Sequence, residues 1–217
     1  PQRGRGMGEA QESNILRRLG SCRPDHIYYS MPIANQNGQR PPVYVTIAAP
    51  CRNERDAIDG FLDRACGRAY VRGGFEIIIA DGASSDGTRA RIEARAAADA
   101  RVRLIDNPQR QQAAGLNQAI REARGTVIVR MDVHTTYAPD YLRECVAALA
   151  GSPAANVGGP ARTTATGYFQ RANAAAYQSR FSVGGARFHD PDYEGWVDTV
   201  PYGCWRRDYL LEIGLYD

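Results

Sequence analysis

Residues 75–88 read FEIIIADGASSDGT, an apolar run that gives way abruptly to carboxylates, small hydroxyl side chains and glycines. The run at residues 75–80 is short and rich in isoleucine, which predicts a strand buried on both faces of a sheet. The next eight residues hold two aspartates and three hydroxyl side chains. Because a simple turn needs fewer polar groups, we expect this strand to deliver a polar loop to one edge of the sheet.

Three further apolar runs occur along the chain, with helical patterns between them. The runs are residues 43–49, 102–105 and 126–131. Pro50 follows the first run and is expected to stop that strand. Helical patterns, with apolar residues three to four apart, begin near Glu54, Thr88 and Ala113. The order β-α-β-α-β-α-β predicts an α/β fold of Rossmann-like type, with a mainly parallel sheet and helices on both faces.

Composition and loop sequences exclude several classes of protein. All 27 basic residues are arginine, so a P-loop, which needs its lysine at the phosphates, is excluded. The loop after the first strand, PCRNE at residues 50–54, has no glycine. That absence argues against the G-x-G-x-x-G turn of a nicotinamide- or flavin-binding fold. A net charge of +3 is too small to indicate a nucleic acid partner.

The length, apolar runs and cysteines of the chain indicate its size class and its cellular compartment. With 217 residues it can bury a full hydrophobic core, and no run approaches the ~20 apolar residues of a membrane-spanning helix. The first twenty residues lack the apolar run of a secretory signal, so we expect a cytoplasmic protein. Residues 1–42 are polar and broken, which predicts an N-terminal extension. The five cysteines are scattered without a C-x-x-C pair and are expected to be reduced, mostly buried thiols.

The polar loop that begins at Asp81 contains more than a helix cap requires. Asp86 or Thr88 can satisfy helix N–H groups, and Gly82 and Gly87 can take positive φ. Asp81 has no such structural task at the tip of its strand, and its carboxylate can accept hydrogen bonds from a nucleoside base or ribose. A calcium loop is discarded because the glycine is one position too late for an EF-hand.

Asp132 and His134 follow the fourth strand in the sequence MDVHTTY. In an extended segment, two residues that are two apart point to the same side, so one cation can reach both. An isolated Asp-x-His pair is more often a turn. Here the pair ends a buried strand at the sheet edge that Asp81 shares, where a nucleotide diphosphate would need positive charge.

These segments together resemble the family 2 glycosyltransferases. That family's pattern has a Pro-x-x-Asn-Glu turn after one strand, Asp-x-x-Ser-x-Asp-Gly-Thr after a second, and Asp-x-Asp after a fourth. The corresponding segments here are residues 50–54, 81–88 and 132–134, and Asn117 with residues 121–132 follows the family's spacing. The resemblance spans residues 43 to about 217. It implies a GT-A fold, a nucleoside diphosphate sugar donor, with UDP-sugars first among them, a divalent metal, and inversion at the anomeric carbon.

The resemblance also implies the residues of the site. The nucleotide is assigned to Pro50, Arg52, Asn53, Glu54, Asp81, Ser84, Asp86 and Arg110. Arg110 is either a phosphate contact or a solvated loop arginine. The metal is assigned to Asp132 and His134, and because imidazole suits first-row transition ions, Mn²⁺ is expected in preference to Mg²⁺.

Residues 197–217 look like the acceptor-side region of bacterial exopolysaccharide glycosyltransferases of the succinoglycan type. This implies a saccharide or polyprenyl-linked acceptor and work at the inner face of the cell membrane, with peripheral association. We expect residues 43–150 to bind the nucleotide sugar and residues 151–217 to be a partial, truncated acceptor-side region. The catalytic base is expected beyond residue 217, with Asp198 the candidate inside the chain. Arg206 and Arg207 either contact a diphosphate or form a solvated pair.

Two other functions stay open on the sequence alone. One is a non-catalytic nucleotide-binding module derived from such a transferase, which a missing base would favour. The other is a nucleotidyltransferase, which shares the metal and the α/β sheet. It usually needs a basic glycine-rich loop after the first strand, and residues 50–54 contain no glycine.

Overall fold

The computed structural model of the chain describes residues 43–67, 73–160, 167–177, 179, 187, 188, 190 and 192–217. Contacts divide them into two units, one made of residues 43–159 and 202–217 and the other of the described residues in 160–201. The first unit contains the six-stranded sheet. The extension expected at residues 1–42 lies outside the described residues.

The strands and helices alternate through the first four strands in the order that the sequence predicts. The strands are β1 (Val45–Cys51), β2 (Phe75–Asp81), β3 (Val102–Asp106), β4 (Val127–Arg130), β5 (Asn156–Val157) and β6 (Cys204–Arg206). The helices are α1 (Arg55–Gly67), α2 (Thr88–Ala98), α3 (Gln112–Glu122), α4 (Tyr141–Gly151), α5 (Tyr168–Tyr177) and α6 (Arg207–Glu212). Of these, α5 belongs to the second unit.

The sheet has the strand order β3-β2-β1-β4-β6-β5. The four strands β1 to β4 are parallel, whereas β6 runs antiparallel to β4 and β5 antiparallel to β6. The chain moves outward from β1 to β2 and β3, then returns to place β4 on the other side of β1. Such a reversal opens a crevice at the carboxyl ends of the strands, where ligands of this kind of fold bind.

Two apolar clusters cover the opposite faces of the sheet. Side chains such as Ile47 and Ile77 pack with α1, α2 and α4 on one face. Their neighbours Ala48 and Ile78 pack with α3 and α6 on the other face. Because successive strand residues point to opposite faces, both sets are buried, and the central strands β1, β2 and β4 are largely apolar. The predicted α/β architecture with helices on both faces is confirmed.

Strand β1 continues through Pro50, so the expectation that Pro50 stops it is wrong. Met131 N–H donates to the Ala48 carbonyl, which shows that Ala48 faces β4. Pro50 is the next residue on that side, and the pairing with β4 has already ended at Ala48. A proline lacks only the N–H group, which would have no partner there, so the strand can pair with β2 as far as Cys51.

A buried carboxylate ties the strands together at their amino ends. Glu76 is 1% exposed, and its oxygens accept hydrogen bonds from the Thr46 hydroxyl (2.8 Å), Arg124 N–H (2.7 Å) and Arg103 Nη1 (3.1 Å). The Thr46 hydroxyl in turn accepts from Gly125 N–H at 2.9 Å. Glu76 thus connects β1, β2 and β3 with the turn that enters β4, far from the carboxyl ends of the strands.

Arg206 and Arg207 bind the carboxyl ends of two helices. The sequence suggested either a diphosphate contact or a solvated pair, and neither interpretation included this role. Arg206 is 8% exposed and donates to the carbonyls of Leu149 (2.8 Å) and Ala154 (3.2 Å). Arg207 donates to the carbonyls of Ile120 and Arg121, both at 2.9 Å. The last carbonyls of a helix lack partners within it and carry partial negative charge, so these arginines stabilise the ends of α4 and α3.

Four cysteines are buried free thiols, as the sequence predicts; Cys22 lies outside the described residues. The four are Cys51, Cys66, Cys145 and Cys204. Burial, together with the nearby Asp81, Glu54 and Asp86 carboxylates, raises the pKa of Cys51 to about 12. Burial also raises the pKa of Cys145 to about 11.

We expect these thiols to be inert to alkylation in the folded protein. A thiol with a pKa near 12 is about a thousand times less ionised at about pH 8 than an ordinary thiol, and only the thiolate reacts. Iodoacetamide labelling followed by peptide mapping should find Cys51 unmodified in buffer and modified in denaturant. Rapid labelling of Cys51 in buffer would contradict the expectation.

Candidate functional site

The loops after β1 and β2 are joined by hydrogen bonds between side chains and backbone. Side chains of the second loop accept the N–H groups at the start of α1: Asn53 to Ser84 Oγ (2.8 Å), Glu54 to Thr88 Oγ1 (2.9 Å) and Arg55 to Asp86 Oδ2 (3.1 Å). In return, Ser85 N–H donates to Asn53 Oδ1 at 2.9 Å. The free N–H groups of a helix start are therefore satisfied from a different loop, which fixes the two loops together.

Asp86 caps two helices at once. Besides the Arg55 N–H of α1, its carboxylate accepts the Thr88 N–H (3.0 Å) and the Thr88 hydroxyl (2.6 Å) at the start of α2. The hydrogen bond from the Thr88 hydroxyl holds the pKa of Asp86 below its usual range. The capping role expected for Asp86 and Thr88 is confirmed, and it extends to the helix that precedes them.

Asp81 is 1% exposed at the end of β2 and is held by Ser84. The Ser84 hydroxyl donates to Asp81 Oδ1 at 2.5 Å while accepting from Asn53 N–H, so one hydroxyl links both loops. Arg89 Nη1 lies 3.5 Å from Asp81 Oδ2 and 2.6 Å from Asp106 Oδ1. Asp81 is therefore a buried carboxylate at the strand end, fixed by the Ser84 N–H and hydroxyl and by Arg89.

Three loops at the carboxyl ends of the strands each contain a residue other than glycine in the left-handed region. They are Asn53 (φ 55°) after β1, Ala83 (φ 58°) after β2 and Arg110 (φ 56°) after β3. Each such residue costs about 1–3 kcal/mol, and such strain concentrates at functional sites. This edge of the sheet is thus built at a cost in stability.

The sequence assigned positive φ to Gly82 and Gly87, and only Gly87 has it, at 97°. Ala83 takes the left-handed conformation in place of Gly82. At Gly82 a side chain would come within 3.3 Å of Arg52 Cβ and Cδ. A side chain at Gly82 would therefore crowd the Arg52 side chain, a contact that the loop sequence alone does not reveal.

Arg52 and Arg110 are exposed in the loops after β1 and β3. Within the part of the chain that the structure describes, no hydrogen bond or ion pair engages either guanidinium. Two uncompensated positive charges therefore lie on the loops at this edge, together with the adjacent Pro50 at the end of β1. Guanidinium groups of this kind bind phosphate oxygens in bidentate fashion.

Asp132 and His134 lie in a turn, so the extended segment expected there is wrong. Thr135 N–H donates to the Asp132 carbonyl at 3.1 Å, which closes the turn. Val133 between them is buried at 1% exposure. The pair therefore reaches the sheet edge because Val133 packs inward in a turn, not because alternate residues of a strand share a side.

Asp132 is 8% exposed and is held from several directions. Arg130 approaches both of its oxygens at 3.3 Å, and Gln112 Nε2 lies 3.5 Å from Oδ2. Its backbone N–H donates to the Tyr137 hydroxyl at 2.8 Å, and Tyr202 lies against the Arg130 guanidinium at 5.8 Å. Sequence reasoning missed Arg130, although its position two residues before Asp132 was a signal. Tyr202 lies seventy positions after Asp132, and no local sequence pattern indicates that the two residues are close.

His134 contacts the loop after β1. Its side chain is 66% exposed, and Nδ1 lies 3.0 Å from Glu54 Oε1. This contact joins the loops after β1 and β4, as the Ser84 hydroxyl joins those after β1 and β2. The structure thus brings Asn53, Glu54, Asp81, Ser84 and His134 into one connected edge.

Asp198, the candidate base, belongs to the second unit, where it is exposed.

The donor set suits a divalent metal that shares its coordination with a ligand. Among the described residues, no group of three or more histidine, cysteine or acidic side chains is close enough to hold a metal alone. Asp132 and His134 would supply one carboxylate and one imidazole, ligand types that first-row transition ions accept. The remaining positions would be filled by diphosphate oxygens and water, as is usual for ions at phosphate sites.

The fold is that of the GT-A glycosyltransferases. Residues 46–213 match the family described as glycosyl transferase family 2. The chain is 31% identical over 173 residues to the succinoglycan biosynthesis protein ExoA of Rhizobium meliloti (strain 1021), covering 79% of this chain and 52% of that protein. The chain belongs to glycosyltransferase family 2, and it spans about half the length or less of the curated relatives it matches.

Solved structures share the fold at low sequence identity. The mannosyltransferase PcManGT from Pyrobaculum calidifontis, in complex with GDP-Man and Mn²⁺, superposes with a TM-score of 0.62 at 21% identity, covering 89% of this chain and 51% of that one. S. aureus TarS 1–349 in complex with UDP gives a TM-score of 0.59 at 14% identity, covering 80% and 49%. No helix among the described residues has the length and apolar character needed to cross a membrane.

Proposed function

We propose that this chain is the nucleotide-sugar-binding part of an inverting, metal-dependent glycosyltransferase. The donor is a nucleoside diphosphate sugar, with UDP-sugars first among them, and the acceptor is a saccharide or polyprenyl-linked saccharide in polysaccharide synthesis. The observation that carries the proposal is the connected edge at the strand ends, where Ser84 and His134 each bond the loop after β1. The relative named for succinoglycan biosynthesis supports the acceptor class.

Each part of the edge has a proposed task. Asp81 accepts hydrogen bonds from the base or ribose, because it is a buried, fixed carboxylate at a strand tip. Arg52 and Arg110 face the diphosphate, since their guanidinium groups have no partner among the described residues. Asn53, Ser84 and Asp86 hold the loops in register, and Pro50 with Glu54 borders the nucleotide.

The proposed reaction is a single displacement. The acceptor hydroxyl oxygen bonds to the anomeric carbon as the bond from that carbon to the diphosphate breaks, so the configuration inverts. The hydroxyl proton passes to a carboxylate base, for which Asp198 is the candidate within this chain. Asp132 and His134 would hold the divalent metal, which when bound neutralises charge on the departing diphosphate. We place the reaction at the inner face of the cell membrane, where a polyprenyl-linked acceptor is available.

Sugar transfer tests the proposal directly. The protein is incubated with Mn²⁺, radiolabelled UDP- or GDP-sugars, and either oligosaccharides or a bacterial lipid extract. The expected result is transfer that depends on metal, and a fall of about 10²–10⁴-fold on replacing a carboxylate identifies the base. Asp198→Asn is tested first, and an unchanged rate in this variant excludes Asp198 as the base. Tight nucleotide binding without transfer would favour the non-catalytic module if a longer form of the protein, spanning the full length of its curated relatives, also transfers no sugar.

Asp81→Asn is expected to weaken UDP binding without unfolding the protein. The change replaces one acceptor oxygen by a donor, which faces a base or ribose donor unfavourably and costs about 1–3 kcal/mol, or roughly 5–150-fold in affinity. Calorimetric titration with UDP and GDP measures the change, and thermal unfolding checks the fold. Asp140→Asn, an exposed aspartate before α4, is the matched control. Equal nucleotide affinity in Asp81→Asn and wild type would contradict the role of Asp81.

Mn²⁺ is expected to support nucleotide binding better than Mg²⁺. The imidazole of His134 suits first-row transition ions, whereas Mg²⁺ prefers oxygen ligands and water. His134→Asp restores an all-oxygen set and should narrow the difference between the two ions. UDP affinity measured with each ion in both proteins is the readout. Equal affinity with Mn²⁺ and Mg²⁺ in the wild type would refute this preference.

A further inference from the structure

The contact between Glu54 and His134 has a chemical consequence for the ring of His134. We infer that Glu54 is a positioning residue: it keeps the His134 proton on Nδ1, so that Nε2 is the nitrogen offered to the metal. The inference rests on the metal site proposed above and adds to it a residue with a defined task. It starts from the 3.0 Å distance between His134 Nδ1 and Glu54 Oε1.

The direction of this hydrogen bond follows from the chemistry of its two groups. An ionised carboxylate can only accept, so His134 Nδ1 has to be the donor. A neutral imidazole carries one proton, and Nε2 therefore keeps its lone pair. Metal-bound histidines commonly donate their second ring nitrogen to a carboxylate in this way, which fixes both the tautomer and the ring orientation.

Glu54 is the better fixed of the two partners. Its N–H donates to Thr88 Oγ1 at 2.9 Å, and its carbonyl accepts from Ala57 and Ile58 N–H in the first turn of α1. Its side chain is 26% exposed, whereas that of His134 is 66% exposed. Water would otherwise solvate the His134 ring freely. The carboxylate on the rigid helix start therefore orients the imidazole on the turn, and not the reverse.

The tautomer can be read without metal, nucleotide or activity. Long-range ¹H–¹⁵N NMR spectra of the ¹⁵N-labelled protein at about pH 8, above the ordinary range for imidazole, show which ring nitrogen bears the proton. The His134 signals are identified by their loss in His134→Gln. We expect the Nδ1–H form in the wild type and a shift towards Nε2–H, the form favoured by free histidine, in Glu54→Ala. Glu212→Ala, an exposed carboxylate on α6, should leave the signals unchanged.

Metal affinity supplies the second readout. Free Mn²⁺ is measured by electron paramagnetic resonance, with and without UDP, so that loss of a nucleotide contact by Glu54 is separated from loss of metal. Glu54→Ala should weaken Mn²⁺ binding by about 10–100-fold, the usual effect of losing a partner behind a metal ligand. Glu54→Gln, whose amide oxygen still accepts, should fall between Glu54→Ala and wild type, and Glu212→Ala should match wild type.

The outcomes separate this inference from the proposed metal site. An Nε2–H form in the wild type, or the same tautomer in wild type and Glu54→Ala, would overturn the positioning role. Weaker Mn²⁺ binding in His134→Ala but not in Glu54→Ala would also overturn it, and would leave the metal site intact. Unchanged Mn²⁺ binding in Asp132→Ala, His134→Ala and Glu54→Ala alike would overturn the metal site and the positioning role together.

Discussion

Asp132→Ala is expected to abolish the dependence of UDP binding on Mn²⁺. Asp132 is the carboxylate of the proposed metal site, and losing a direct ligand should cost more than the roughly 10–100-fold typical of an outer partner. The substitution also frees the Arg130 guanidinium, which now lies 3.3 Å from both Asp132 oxygens. Arg130 can then attract the diphosphate itself, so UDP affinity in the absence of metal should not fall.

The quantity to measure is therefore the ratio of UDP affinities with Mn²⁺ and with a chelator. In the wild type this ratio should be large, and in Asp132→Ala it should fall to within about threefold of one, a reduction of at least about 100-fold. Asp140→Ala, which removes an exposed carboxylate before α4, is the control and should keep the wild-type ratio. An unchanged ratio in Asp132→Ala would refute the assignment.

Glu76→Ala is expected to lower the free energy of unfolding by about 2–6 kcal/mol, because the Thr46 hydroxyl and the Arg124 N–H lose their acceptor at about 1–3 kcal/mol each. The truncation leaves Arg103 without its buried partner and removes the acceptor of the Thr46 hydroxyl and the Arg124 N–H. These groups lie at the amino ends of the strands, so the effect should fall on stability and not on nucleotide binding.

Urea unfolding measures the difference, with two further variants for comparison. Glu76→Gln keeps an acceptor for Thr46 and Arg124 and should cost less than Glu76→Ala. Glu122→Ala removes the more exposed partner of Arg103, 38% exposed, and should cost about 0–1 kcal/mol, as surface ion pairs do. A Glu76→Ala protein within about 1 kcal/mol of wild type would show that Glu76 is not a structural clamp.

The sequence predicted the first four strands and the three helices between them, because β1, β2 and β4 are buried on both faces and the edge strand β3 keeps an apolar run. Such burial makes an apolar run continuous and easy to read, as in residues 75–80. The strands β5 and β6 were not predicted, since they have two and three residues and β6 includes Arg206. A short strand that contains an arginine has no periodic signature. Its place in the sheet depends on pairing with β4, distant in sequence.

Local sequence predicted those parts of the candidate site whose residues all lie in one loop. Asp81 and the capping role of Asp86 follow from a single segment, and both lie where that segment predicts. The contact between Glu54 and His134 spans eighty positions and follows from no local pattern. For residues 132–135 the sequence offered both a turn and an extended segment. The structure has the turn, with Val133 packed into the core, which is a tertiary effect that local sequence does not show.

The position of β6 also governs when the protein can fold as it is synthesised. Strand β6 is the only strand among the described residues that pairs with β5, and it covers the outer edge of β4. A ribosome therefore produces β4 and β5 long before residues 204–206 exist to pair with them. During that interval β4 presents an unpaired edge of valine and isoleucine, the kind of edge that recruits strands of other chains. Slow translation after β5, or release of shorter chains, should thus favour aggregation, and a chaperone that shields this edge should raise the yield.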